Sequence, residues 1–230
     1  MFYIKSLNVS YGESEVINSL DLELKKGEIL AVMGRNGMGK TTLFKSLIGI
    51  LGCGSGSSIK IDDRELASVP SFQRVRQGLA YVPQGRMIFP NMTVTDNIRT
   101  GLDSSEEKEV PDYVYELFPV LKEMGKRKGG NLSGGQQQQL AIARALVTKP
   151  KVLLLDEPTE GIQPSIIKEM AEKLKTIRDM HDVSIIVAEQ VLSFALTACD
   201  RFLVMEGGAI VHSSDRSEVD AEKIKSFLSV

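Results

Sequence analysis

Gly34-Arg35-Asn36-Gly37-Met38-Gly39-Lys40-Thr41-Thr42 lies between an apolar run, Ile29-Leu30-Ala31-Val32-Met33, and an amphipathic run opening Leu43-Phe44-Lys45-Ser46-Leu47. The order is strand, glycine-rich turn, helix, and the stretch fits G-x-x-x-x-G-K-[ST]. Glycines let the backbone curl close to an anion with no Cβ in the way. Successive N–H groups and the helix N-terminus then face phosphate oxygens. Lys40 reaches the β- and γ-phosphates, and the Thr41 hydroxyl ligates Mg²⁺. The alternative is an ordinary glycine-rich turn, and about 1% of chains this long would match the pattern by chance.

Three other stretches bear on the same chemistry. Val152-Leu153-Leu154-Leu155 reads as a strand buried on both faces of a parallel sheet, and it ends in Asp156-Glu157-Pro158. The first carboxylate can order a Mg²⁺ shell, and the second can accept a proton from water attacking a γ-phosphate. An exposed strand end or a helix cap is the alternative. Leu79-Ala80-Tyr81-Val82 is a strand stopped by Pro83, so Gln84 stands outside its carboxyl end, where open α/β sheets bind ligands. Leu132-Ser133-Gly134-Gly135-Gln136 introduces a helix running to about Val147, capped by Ser133 or a following glycine, with N–H groups free for an anion. The glutamines 136–139 also read as a polar helix face opposite Leu140, Ile142, Ala143 and Leu146.

Outward from these, residues 2–9 and 16–24 read as strands by alternation. Tyr11 follows the first. Pairing of the two strands could bring it over a nucleotide, or it is a turn tyrosine. A strand at 59–62 and a short polar helix at 71–78 come next. Residues 90–130 change character. They suggest a helix over 94–102, a charged loop at 104–109, and an amphipathic helix over 113–124 with Val114, Leu117, Phe118 and Leu121 on one face, distorted by Pro119. Ser165 is a plausible cap for a helix over 166–180, and a strand over 183–188 ends at Glu189-Gln190. Residues 202–212 form a hairpin around Glu206-Gly207-Gly208, and 221–228 a terminal helix. Strands alternating with helices imply an α/β fold with a mostly parallel sheet.

The 230 residues suffice for a sizeable core, and a net charge of −2 does not suggest a polyanion partner such as nucleic acid. No run reaches the about 18 apolar residues of a membrane span, and the first residues lack a signal pattern, so a cytosolic chain is expected. Cys53 and Cys199 are isolated, without metal-ligand spacing, and read as reduced thiols, Cys53 an exposed one. His181 and His212 suit surface or packing roles.

The phosphate loop, Gln84, Leu132-Ser133-Gly134-Gly135-Gln136 and Asp156-Glu157 occur in the order and spacing of ABC-type ATPases, which the chain resembles over essentially its whole length. The resemblance implies a P-loop NTPase core, residues 1–89 and 131–230, with an antiparallel β subdomain and an inserted helical subdomain, residues 90–130. It implies two chains meeting head to tail, each ATP held between the phosphate loop of one and Ser133, Gly134, Gly135 and Gln136 of the other. Tyr11 would stack on adenine beside Val16, and Asn36 through Thr42 would wrap the phosphates. Thr41 and Gln84 would ligate Mg²⁺, Asp156 would order its shell, and Glu157 would be the general base.

Residues 136–146 and Glu157-Pro158-Thr159-Glu160-Gly161-Ile162-Gln163-Pro164 most resemble the ATPase subunits of uptake systems for branched-chain amino acids and, most similarly, urea. That implies permease subunits in the membrane, a solute-binding protein beyond them, and a peripheral position on the inner face. Non-transport relatives acting on nucleic acid or ribosomes usually carry two cassettes or long coiled coils; this chain has one cassette, no heptads and no basic tail. The family usually has a histidine against the γ-phosphate where this chain has Gln190. An amide donates a hydrogen bond but carries no charge. That departure implies a sister ATPase supplying the histidine.

Overall fold

The computed structural model describes residues 1–104 and 107–229. Residues 105 and 106 of the expected charged loop lie outside them. In chain order the elements begin with β1 Phe2–Tyr11, β2 Ser14–Leu24, β3 Ile29–Met33, α1 Lys40–Ile48, β4 Ser58–Ile61, β5 Arg64–Glu65, α2 Ser71–Arg76 and β6 Leu79–Val82. The helical segment follows with α3 Val94–Arg99, α4 Asp112–Leu117 and α5 Pro119–Glu123. Then come α6 Gly134–Leu146, β7 Val152–Asp156, α7 Pro164–His181, β8 Ser184–Glu189, α8 Leu192–Ala198, β9 Arg201–Glu206, β10 Ala209–Asp215 and α9 Ala221–Leu228.

The strands form two sheets. One is four-stranded and antiparallel, in the order β2-β1-β4-β5. The other has six strands in the order β10-β9-β3-β8-β7-β6, all parallel except the β9–β10 hairpin. Every residue of β3, β7 and β8 is buried. Their period of two sorts them between two cores. Leu30, Val32, Leu154 and Ile186 pack with Leu43, Phe44 and Leu47 of α1 against the antiparallel sheet. Ala31, Leu153 and Ile185 pack with Leu140 and Ile142 of α6, Leu174 of α7 and Phe194 of α8. Helices on one face and a second sheet on the other explain why these strands read as unbroken apolar runs. The helical segment buries Val94, Ile98, Val114, Leu117, Phe118 and Leu121 in the same cluster as α6.

Several expectations need correction. The helix expected over 113–124 is two helices. Phe118 breaks it at φ −130°, ψ 69°, and Pro119 becomes the first residue of α5, where its missing N–H costs no bond. Ser165 caps nothing: α7 begins two residues earlier than expected, with Gln163 at the cap and Pro164 at the first helical position. The glutamine run is no simple polar face, because Gln138 and Gln139 are buried. The helix expected over 94–102 ends at Arg99 and tightens into a 3₁₀ turn, Thr100–Ser104. Helix α8 carries no strong start signal and was not anticipated. Cys53 is half-buried rather than exposed. His181 packs against Tyr113, tilted, with ring centroids 4.3 Å apart, and His212 stacks on Phe227 at 5.8 Å, both packing roles. No helix among the described residues is long and apolar enough to cross a membrane.

Candidate nucleotide site

The carboxyl ends of β3, β6, β7 and β8 lie along one edge of the parallel sheet, and the residues just past them form the site. Past β3 the phosphate loop turns into α1 through Gly39, whose φ of 103° an L side chain rarely adopts. A Cβ there would also lie 2.9 Å from Met205 Cε. No side chain caps α1, so its first N–H groups face the loop and its dipole favours an anion. Lys40, almost fully buried, donates from Nζ to Gly34 O at 2.6 Å and Arg35 O at 3.0 Å. Its ammonium also pairs with Glu157 Oε1 at 3.3 Å.

Asp156, the last residue of β7, is buried. Thr41 Oγ1 donates to Asp156 Oδ1 at 3.3 Å, and Tyr81 of β6 donates its hydroxyl to Oδ2 at 3.1 Å. Burial pushes the Asp156 carboxyl above its ordinary pKa, and the two hydroxyl bonds oppose that rise. Burial, with Asp156 alongside, holds the Tyr81 phenol protonated. Glu157 follows with left-handed backbone, φ 47°. Gln84 and Gln190 reach Glu157 Oε2 from either side, Nε2 at 3.3 Å and 3.5 Å respectively. Gln190 Nε2 also donates to Asn36 Oδ1 at 3.1 Å. Residues from three separate chain segments thus converge on the Glu157 carboxylate.

The donors suit a nucleoside triphosphate with a divalent cation. The loop supplies backbone N–H groups and one ammonium; Thr41, Gln84 and Asp156 supply hard oxygens. Among the described residues no cluster of three or more His, Cys, Asp or Glu side chains could hold a metal unaided. A cation here would therefore depend on phosphate and water oxygens, as Mg²⁺ does.

The peripheral site residues fall into two groups. Val16 lies beside the phosphate loop, its carbonyl 3.4 Å from where a Cβ on Gly39 would stand. Tyr11 closes β1 opposite Ser14 and is 48% exposed. Ser133 caps α6 in a reciprocal box: Gln136 N donates to Ser133 Oγ at 3.4 Å and Ser133 N to Gln136 Oε1 at 3.0 Å. Ser133, Gly135 and Gln136 border a cavity with Pro119, Val120 and Ile166, and none of its lining comes from the phosphate loop. Among the described residues no hydrogen bond or ion pair joins the two stretches.

Sequence reasoning missed Tyr81 and Arg86. Arg86 donates to Glu160 O at 2.7 Å and Gln137 Oε1 at 3.3 Å, joining the Gln84 loop to the segment behind Glu157 and to α6. Arg144 of α6 completes the link by donating to Met87 O at 2.8 Å. Alternation in β6 could have pointed Tyr81 at Asp156; nothing local marks Arg86.

The family model described as "ABC transporter" matches residues 17–160. The high-affinity branched-chain amino acid transport ATP-binding protein BraG of Pseudomonas aeruginosa is 40% identical over 92% of this chain and 91% of its own length. The probable branched-chain amino acid transport ATP-binding protein LivF of Archaeoglobus fulgidus is 36% identical over 93% and 91%. Among solved structures, cbiO1 of Clostridium perfringens, part of the ABC transporter complex cbiONQ, superposes with a TM-score of 0.83 at 28% identity, over 97% of this chain and 92% of its own. Matched over the same strands and loops that build the site, the chain belongs to the ABC transporter family and is one of its ATPases.

Proposed function

We propose that this chain is the ATP-hydrolysing subunit of an importer for a small polar solute of the branched-chain amino acid and urea class. The observation that carries the ATPase half is the convergence of Lys40, Gln84 and Gln190 on Glu157, at the end of a buried strand beside a phosphate cradle. A triphosphate in the cradle would compete for the Lys40 ammonium, releasing Glu157 to accept a proton from the attacking water. Mg²⁺, held by Thr41 and Gln84 with Asp156 behind them, would supply charge neutralisation between the phosphates. Lys40 would neutralise the γ-phosphate, and Gln190 would offer it an amide donor. Ser133, Gly134, Gly135 and Gln136 of a second chain would close the far side, with Tyr11 and Val16 against adenine. Closing and reopening of the pair would drive permease subunits at the inner face of the membrane.

Glu157→Gln should keep ATP binding and abolish turnover in the purified protein; persistent hydrolysis would reassign the base. The branched-chain reading is supported by two relatives so named, and urea by the residues 136–146 and 157–164. ATPase activity of the complex reconstituted with its permeases and binding protein decides between them: stimulation by leucine alone excludes urea, and the reverse excludes leucine. Gln190 supports a histidine-bearing sister subunit as the dimer partner. This chain alone should then turn over more slowly than the mixed pair, and equal rates would remove the sister from the account.

A further inference from the structure

We infer that Glu189 is a positioning residue for ATP hydrolysis, a buried carboxylate that ties the loop behind Glu157 to the loop carrying Gln190. The inference rests on Glu157 being the base. Glu189 is the last residue of β8 and is 1% exposed. Its Oε1 accepts from Thr159 N at 3.0 Å and from Thr159 Oγ1 at 2.6 Å. Its Oε2 accepts from Gln190 N at 3.0 Å and Val191 N at 3.2 Å. Among the described residues none of these partners is a cation.

A carboxylate buried without a cation is costly unless its oxygens are satisfied. Here each oxygen is satisfied by a different loop. The side chain is therefore a strut of fixed length between them. On one side, Thr159 lies two residues past Glu157, whose left-handed φ of 47° is an unfavourable backbone state that its surroundings must hold. Glu157 N donates to Ala188 O at 2.9 Å, so the end of β8 grips this loop from the backbone as well. On the other side, the two N–H groups fix the turn from which the Gln190 amide reaches Asn36 and Glu157. The strut sets the spacing across which the Glu157 carboxylate and the Gln190 amide face each other. Glu189 itself touches neither phosphate cradle nor metal ligand, so it acts through its neighbours.

A carboxylate is required because all four partners of Glu189 present hydrogens. A glutamine would aim its NH₂ at the N–H of Thr159 or at those of Gln190 and Val191, and one loop would come loose. In the full-length protein, Glu189→Gln should lower kcat roughly ten- to hundredfold while KM for ATP moves less than about twofold. Thr159→Val, which removes only the hydroxyl, should lower kcat in the same direction, and Thr159→Ser should restore it. This pair decides the matter even if Glu189→Gln does not fold. In a Gln190→Ala background the Glu189→Gln step should cost markedly less, because part of its effect passes through Gln190. Wild-type kcat in Glu189→Gln, or in Thr159→Val where Glu189→Gln does not fold, would overturn the inference, as would a loss appearing entirely as weaker ATP binding. Glu157→Gln assayed alongside separates the two assignments: residual hydrolysis there strikes the base, whereas a dead Glu157→Gln beside a fully active Glu189→Gln strikes the strut alone.

Discussion

Asp62 shows how a single side chain joins the two sheets. It follows β4 of the antiparallel sheet, and its carboxylate accepts from Lys151 Nζ, at the start of β7, and from the Met1 ammonium, each at 2.7 Å. Those bonds hold its pKa down at about 2. A carboxylate whose pKa is lower folded than unfolded stabilises the fold above its unfolded value of 3.8 and loses that contribution as pH falls toward 2. Because Asp62 is half-exposed, solvent screening limits the contribution to under about 1 kcal/mol. Asp62→Asn should therefore lower the urea midpoint slightly at about pH 6, with the gap to wild type narrowing by about pH 3. A gap that widened toward acid would contradict the assignment. Residues of this kind are the least legible in sequence. Asp62 and Lys151, and Glu189 and Thr159, pair across long stretches of chain, and no local period marks either partner. Lys40, Thr41, Asp156 and Glu157 were legible because backbone geometry ties each to a short motif on one strand end.

Elements were legible where one face decides them. Alternation marked β2, and unbroken apolar runs marked β3, β7 and β8. Element ends were less legible, because packing partners set them. The end of α3 is the clearest case. Its 3₁₀ turn passes so close to α6 that a Cβ on Gly101 would sit 2.3 Å from Arg144 O and 2.5 Å from Val147 Cγ2. Only glycine permits that approach, so the helix tightens there rather than continuing to residue 102. Gly101→Ala must push the turn and α6 apart. The expected cost is about 1–3 kcal/mol in urea unfolding, typical of overpacking. Arg144 also holds the Gln84 loop through Met87 O, so turnover should fall more than the stability loss explains. If Gly101→Ala melted like wild type, the close crossing would not exist in solution.

At the scale of the whole molecule, the proposed function makes the single chain carry halves of two different sites, a phosphate loop and an α6 start. The phosphate loop sits at the carboxyl edge of the parallel sheet. Ser133, Gly134, Gly135 and Gln136 start α6 with a capped helix end, and the cavity that Ser133, Gly135 and Gln136 border is lined also by Gln139, Glu169 and Lys173 and not by the phosphate loop. Two copies, or this chain and a sister, would each lend the other what it lacks, and a closed two-fold arrangement would satisfy both at once. Complementation tests this directly. Lys40→Ala destroys the cradle and leaves the α6 start intact; Ser133→Arg obstructs the α6 start and leaves the cradle intact. Each variant alone should be inactive. Mixed in equal amounts and allowed to exchange, half of the dimers pair one of each, and each such dimer holds one complete site and one doubly damaged site. Hydrolysis should recover to as much as about a quarter of the wild-type rate, less if the two sites must fire together. A site completed within one chain would give no recovery at any mixing ratio, and that result, with both variants folded and dimeric, would overturn completion in trans.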